Sequence, residues 1–337
     1  MRKTEDAIQS HRQSAQVATS LDYDANDVEQ SQRDGYADLL SNLGDKYPKL
    51  VVIDADLSTV GKTFAFANKW PERHLQVGIA EQNMMGIAAG IAQFGMTPVV
   101  HSLAVFAIGR AFDQIRESIC YSELAVKIIG LHAGATLSPD GATHQTMEDI
   151  SLMTSLPNMC VVAPADANQT RELLPSIIES KLPVYYRLLF PKMKNITVGN
   201  KASFGKIQIL KGGSKMCFFS YGQTLHPCLE VAEEIEKLRG IRCGVVNIHT
   251  IKPIDEEGII EILNEFEKII VVEEHNIFGG LGSIISTISS KHCPRKMRHI
   301  NTKDQFGITG LPVESLKSFG LDKKNIFLEA LKFMDEK

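Results

Sequence analysis

Short apolar runs that stop at polar residues recur along this chain, with helical periodicity between them. Leu50-Val51-Val52-Ile53 stops at Asp54 and Asp56. Thr97-Pro98-Val99-Val100-His101, Lys127-Ile128-Ile129-Gly130-Leu131-His132, Cys160-Val161-Val162-Ala163-Pro164 and Val184-Tyr185-Tyr186-Arg187 repeat the theme. Apolar runs of this length read as strands covered on both faces. The intervening stretches 35–44, 78–94, 106–121 and 168–179 read as helices, and the long polar stretch 133–145 as a loop. Strand and helix in alternation build a parallel sheet with helices against it. Over 191–213 the pattern lapses into a Pro-, Lys-, Gly- and Asn-containing linker. It then restarts, with strands expected at 215–221, 243–248 and 268–273 and helices at 227–238, 255–266 and 282–289. The expected fold class is α/β with two domains, 31–190 and 214–337, each a mainly parallel sheet flanked by helices. Residues 1–30 are polar and aperiodic, and are expected to form a flexible arm.

One expected helix stands out. Val77-Gly78-Ile79-Ala80-Glu81-Gln82-Asn83-Met84-Met85-Gly86-Ile87-Ala88-Ala89-Gly90-Ile91-Ala92 is almost entirely small and apolar, with a single carboxylate at its entry. By itself Glu81 fits either an acid that complements the helix dipole or a buried acid with a chemical task. Composition excludes several classes. A net charge of -4 over 337 residues gives no basic footprint for nucleic acid. The cysteines, at 120, 160, 217, 228, 243 and 293, contain no C-x-x-C pair. That spacing argues against a metal cage or disulfide framework and fits a reducing, cytoplasmic setting, with no metal ligands expected on this chain. The most hydrophobic stretch, 84–100, is interrupted by Gln93 and Pro98 and is too short to span a bilayer. No secretory signal follows the initial Met-Arg-Lys-Thr-Glu-Asp, so no membrane association is expected.

Three motifs follow one another: Gly78-Ile79-Ala80-Glu81-Gln82-Asn83, then Arg110-Ala111-Phe112-Asp113-Gln114-Ile115-Arg116, then Asp140-Gly141-Ala142-Thr143-His144-Gln145. Each alone is a weak signal. In this order they resemble the C-terminal half of transketolase, the pyrimidine-binding domain plus C-terminal domain of a thiamine diphosphate enzyme, and the resemblance covers the chain from about residue 31 onward. It implies that Glu81 hydrogen-bonds N1′ of the cofactor's aminopyrimidine and so promotes formation of the thiazolium ylide. It implies that Phe106 stacks on that ring. The position where the family often has a tyrosine, three residues after this Phe, is Gly109, so that polar contact is absent or replaced, and Arg110 is a candidate cofactor neighbour. His144 and Asp140 match positions that contact the donor sugar, His144 near the reacting carbons. His132, Arg187 and Arg33 match positions that bind the substrate phosphate, a task suited to a planar guanidinium. The phosphate-contacting serine after the Asp-Leu pair is not clearly present in Asp56-Leu57-Ser58-Thr59-Val60-Gly61-Lys62. Glu273-Glu274-His275-Asn276-Ile277-Phe278-Gly279-Gly280-Leu281-Gly282-Ser283 lacks the third glycine of a dinucleotide fingerprint and reads as a turn into a helix.

The family's diphosphate- and Mg²⁺-binding motif, Gly-Asp-Gly with a downstream Asn, does not occur in this sequence. The resemblance therefore implies a split enzyme. A separate N-terminal-type transketolase subunit would carry the Mg²⁺ ligands, and the pair would assemble as an α2β2 heterotetramer. The expected activity is transfer of a two-carbon ketol unit between phosphorylated sugars by a thiamine diphosphate-dependent transferase active only with its partner. Deoxyxylulose phosphate synthase normally has His where this chain has Asn83, and a 2-oxo acid dehydrogenase β subunit normally lacks the D-G-x-T-H-Q loop. Both stay open as alternatives, as does a non-catalytic scaffold subunit.

Overall fold

The computed structural model describes residues 29–336, so the expected arm lies outside the described residues except for its last two positions. Contacts divide the chain into two units. One runs up to Ala133 and resumes over Leu152–Phe204; the other comprises Gly134–Ser151 and the chain from Gly205 onward. The segment that interrupts the first unit in sequence is thus part of the second.

In the first unit, helix α1 (Gln32–Lys46) starts at Ser31, whose hydroxyl accepts the Asp34 amide while the Asp34 carboxylate accepts the Ser31 amide. This reciprocal cap satisfies donors that a helix start leaves open. Strands β1 (Leu50–Asp54), β2 (His74–Gln76), β3 (Thr97–Leu103), β4 (Lys127–Leu131), β5 (Cys160–Val162) and β6 (Val184–Arg187) lie in the order β5-β6-β4-β3-β1-β2. Every pairing is parallel. Strands β1, β4, β5 and β6 are buried along their whole length, as continuous apolar runs require. Helix α2 (Glu81–Gln93) begins later than the periodicity predicts. Gly78 is at φ 74°, a left-handed conformation that ends the preceding extended segment and that a side chain would strain. Helix α3 (Ala167–Glu179) is capped by Asp166, which accepts the Gln169 amide, and buries Thr170, Leu173, Leu174, Ile177 and Ile178 at helical spacing. It packs closely against α1: a Cβ on Gly35 would collide with the Ala167 carbonyl oxygen. Tyr36, Leu40, Val52, Leu131, Val162 and Leu173 belong to the core that these elements enclose.

The single helix expected over 106–121 is instead three pieces, with π-helical turns at Val105–Arg110 and Ile115–Tyr121 on either side of Phe112–Gln114. Gln30–Ser31, at the edge of the expected arm, pairs antiparallel with Lys192–Met193.

The second unit contains β7 (Gln208–Lys211), β8 (Lys215–Ser220), α4 (Leu225–Arg239), β9 (Gly244–Asn247), α5 (Glu256–Glu265), β10 (Phe266–Val272), α6 (Leu281–His292) and β11 (Lys296–Ile300). Its strand order is β11-β10-β8-β9-β7, parallel except for the antiparallel pairing of β9 with β7. Strand β7 lies inside the stretch that reads as a linker, and β11 and the final helix α7 (Lys323–Asp335) have no counterpart in the sequence reading. Among the described residues no helix is long and apolar enough to cross a membrane.

Candidate active site

Glu81 is the first residue of α2 and is 2% exposed. Its helix has no side-chain cap, and its buried face carries Glu81, Met84, Met85, Ala88 and Ala89. The carboxylate reaches the carboxyl end of the adjacent sheet. Oε1 accepts from the Ser102 hydroxyl at 3.1 Å, and Oε2 accepts from Arg110 Nη1 at 2.9 Å. Ser102 stands near the end of β3, a strand buried on both faces from Pro98 to Ser102. Nothing in the sequence except that strand-end position marks Ser102 as a partner of Glu81.

Arg110 ends the first π-helical turn, and its guanidinium lies over the Phe106 ring, 4.7 Å from centre to centre. Phe106 and Glu81 therefore contact the same planar group. That guanidinium lies over an aromatic face and donates an N–H to a buried carboxylate. A cofactor ring with a flat face and a hydrogen-bonding edge needs those same two contacts, so Glu81 and Phe106 fit such a ring.

A second cluster lies at neighbouring strand ends. His132 follows β4, and Arg187 ends β6, the strand hydrogen-bonded to β4. The turn is fixed by Leu188 N donating to the Gly130 carbonyl and Ala133 N donating to the Leu188 carbonyl. Arg187 is 1% exposed. His132 is buried at φ 54° with its ring edge-on to Phe190. Burial, with the nearby Arg33 charge adding to it, pushes the His132 pKa down to about 4, so the ring is neutral at pH 7. Arg33 is held at the start of α1 because its neighbour Gln32 is clamped. The Gln32 amide donates to the Pro164 carbonyl at 2.6 Å and accepts the Leu189 amide at 2.8 Å. Arg33 Nη1 donates to the Val60 carbonyl, yet Arg33 Nε and His132 Nε2 are buried with no hydrogen-bond partner among the described residues. Such orphans are costly unless a ligand or water completes them. Phe190 carries no sequence signal for its place beside His132.

Asp140 and His144 stand on the segment grouped with the second unit, in a different contact group from Glu81, Phe106 and Arg187. Asp140 is exposed; His144 is partly buried, with Nδ1 at 2.9 Å from the Thr143 hydroxyl. Their loop is tied down by Gln145, which donates to the Ala135 and Ile308 carbonyls at 2.8 and 3.0 Å. The acids at the end of β1 serve other purposes: Asp54 is engaged by Ser58, Thr63 and His74. Among the described residues no group of three or more His, Cys, Asp or Glu is arranged to hold a metal ion.

Comparison with known proteins covers nearly the whole described chain. The family description "Transketolase, pyrimidine binding domain" matches residues 29–194, and "Transketolase, C-terminal domain" matches 205–326. A protein of Methanocaldococcus jannaschii called putative transketolase C-terminal section is 41% identical over 315 residues, covering 92% of this chain and 97% of that one. A 6-deoxy-6-sulfo-D-fructose transketolase subunit of Clostridium sp. is 35% identical over 306 residues, covering 90% and 95%. A solved structure described as a split gene transketolase, inactive beta4 tetramer, is 38% identical with a TM-score of 0.81, covering 90% of this chain and 98% of that one.

Proposed function

This chain belongs to the transketolase family, and from that premise we propose that it is the pyrimidine-binding subunit of a two-chain enzyme that moves a two-carbon ketol unit between phosphorylated sugars. The observation that carries the reading is the shared grip of Glu81 and Phe106 on one planar N–H donor. A buried acid that shares a planar partner with an aromatic ring counts against a pure scaffold subunit. Relatives of matching length that are named as a transketolase section and a transketolase subunit support the two-chain form. So does the related split-gene chain, described as inactive when it forms a tetramer of its own kind.

Thiamine diphosphate, when bound, supplies carbanion chemistry that side chains cannot. The residues of this chain do the rest. Glu81 holds a proton between its carboxylate and the pyrimidine nitrogen docked against it. Phe106 supports the face of that ring, and Arg110, expected beside the cofactor, lies against both groups in the chain by itself. Arg33, His132 and Arg187 form a phosphate seat. Neutral His132 offers a ring N–H without adding charge, and the two guanidinium groups neutralise the dianion. The unpartnered Arg33 Nε and His132 Nε2 support an oxyanion there. Asp140 and His144 orient the sugar, with His144 nearest the reacting carbons. Mg²⁺ and its ligands belong to the partner subunit, together forming an α2β2 assembly in the cytoplasm.

The test is co-expression with a chain of similar size from the same source that carries Gly-Asp-Gly and a downstream Asn. Ketol transfer from a ketose phosphate to an aldose phosphate is then measured with and without thiamine diphosphate and Mg²⁺. Turnover is expected for the complex alone. Turnover by this chain in isolation would refute the two-chain reading, and turnover with pyruvate as donor would move it to another branch of thiamine chemistry.

A further inference from the structure

We propose that Arg110 is a displaceable occupant of the pyrimidine seat: in the subunit without cofactor its guanidinium fills the place between Glu81 and Phe106, and the aminopyrimidine enters by pushing it out. This rests on the proposed function above, and it reverses the role that the motif alone implies for Arg110, from ligand to competitor.

The geometry supports competition. Glu81 Oε1 is engaged by Ser102 and Oε2 by Arg110, so both carboxylate oxygens are occupied. The Phe106 face at 4.7 Å is covered by the same guanidinium. A guanidinium and an aminopyrimidine are alike where it matters: both are flat, both lay a face on an aromatic ring, and both point N–H or ring-nitrogen edges at a carboxylate. One ring face cannot hold both at once, and the carboxylate edge that it adjoins is the one Arg110 uses.

Arg110 is also built to leave. Its side chain is 47% exposed, whereas Glu81 is 2% exposed. It sits at the end of a π-helical turn, and the neighbouring Gly109 has open space where a side chain would start. An ion pair this exposed and a cation–π contact at the surface are each weak. Together they lower the fraction of molecules with an open seat, and apparent cofactor affinity falls by that fraction. The arginine has a use in the free subunit, because it pairs an acid that would otherwise be buried without a counter-charge.

Opposite signs for two measurements distinguish a competitor from a ligand. Arg110→Ala is expected to melt at lower temperature than the wild-type chain and yet to bind more tightly. In the complex with the partner subunit, calorimetric titration with thiamine diphosphate at fixed Mg²⁺ should show about tenfold higher affinity for the variant. The chain alone is titrated with 4-amino-5-hydroxymethyl-2-methylpyrimidine, a neutral probe free of the diphosphate's own salt dependence. Raising salt from about 0.05 to 0.5 M should tighten this probe on wild type, by screening the Arg110–Glu81 pair, and leave the variant unmoved. If the alanine variant does not fold, Arg110→Lys keeps the charge without the plane and should fall between wild type and the expected gain. Equal or weaker binding by the variants, with wild-type binding intact, overturns the proposal. Absence of thiamine diphosphate binding by the wild-type complex overturns instead the assignment of this chain as a cofactor subunit.

Discussion

Two buried-acid regions of this protein close their carboxylates in different ways. At the start of α2, Glu81 is paired by the side chains of Ser102 and Arg110, and Arg110 is half exposed. Ahead of α6, the acids Glu273 and Glu274 are buried to 2% and 1%. Glu273 accepts the backbone amides of Leu281 and Gly282 at 2.7 and 2.8 Å, capping α6 in place of its Gly280 N-cap, which has no side chain. Glu274 accepts the Ala135 amide at 2.6 Å and the Gln223 side-chain amide at 2.8 Å. Backbone donors cannot swing away without unfolding their element, whereas an exposed arginine can. An acid closed by amides belongs to the architecture. An acid closed by a removable side chain is available for chemistry.

The sharpest way to break this contrast is Glu81→Gln in the co-expressed complex. Turnover should fall by about 10³-fold or more, because proton transfer at the docked ring is lost. Unfolding stability should change by less than about 1 kcal/mol, since the partner it loses is exposed to water. A large loss of stability with activity per folded molecule retained would make Glu81 structural and end the distinction. Glu274→Ala should act the other way. The hydrogen bonds from the Ala135 and Gln223 amides to a buried carboxyl group disappear, and the second unit should lose about 3 kcal/mol in denaturant titration. A change below about 1 kcal/mol would show that the amide cage around Glu274 is not needed.

A smaller effect concerns two of the histidines whose pKa burial lowers, His132 at the phosphate seat and His249 within the second unit. Burial alone pushes the His249 pKa down to about 4 from an ordinary value of 6.5. A depressed folded-state value means that the unfolded chain binds the proton first. The stability is therefore fully present above pH 6.5 and is lost as pH falls toward and through 4. Between pH 7 and pH 5 the loss from His249 is about 2 kcal/mol. His249→Leu should flatten that part of the stability profile, as followed by denaturant midpoints at the two pH values. An unchanged slope would mean that His249 takes up its proton over the same pH range in the folded chain as in the unfolded one. In contrast to His249, His132 lies beside Arg33, so bound phosphate would oppose its depression.

Much of the site was legible because its motifs are local. Gly78 to Asn83, Arg110 to Arg116 and Asp140 to Gln145 announce themselves as strings, and the strand runs 50–54, 127–131 and 184–187 are apolar enough to be read directly. The strand over His74–Gln76 was not legible, because a short polar run at a sheet edge carries no apolar signature. Strand β7 was hidden in the same way, among the polar residues of the apparent linker. The split of 106–121 into π-helical turns has no periodicity of its own, since packing decides where a helix takes in an extra residue.

The amino-acid sequence by itself determined the alternation of strands and helices, the placing of Glu81 at a helix entry and the family to which the motifs point. These depend on side-chain periodicity and on residues adjacent in the chain. The tertiary structure alone decided three things: that Ser102 and Arg110 close Glu81, that Arg33 on α1 comes near His132 while Arg187 ends the strand beside His132's own, and that the Asp140–His144 loop groups with the second unit. Each joins residues far apart in the chain, and a partnership of that kind is set by strand order and packing, which no local pattern encodes.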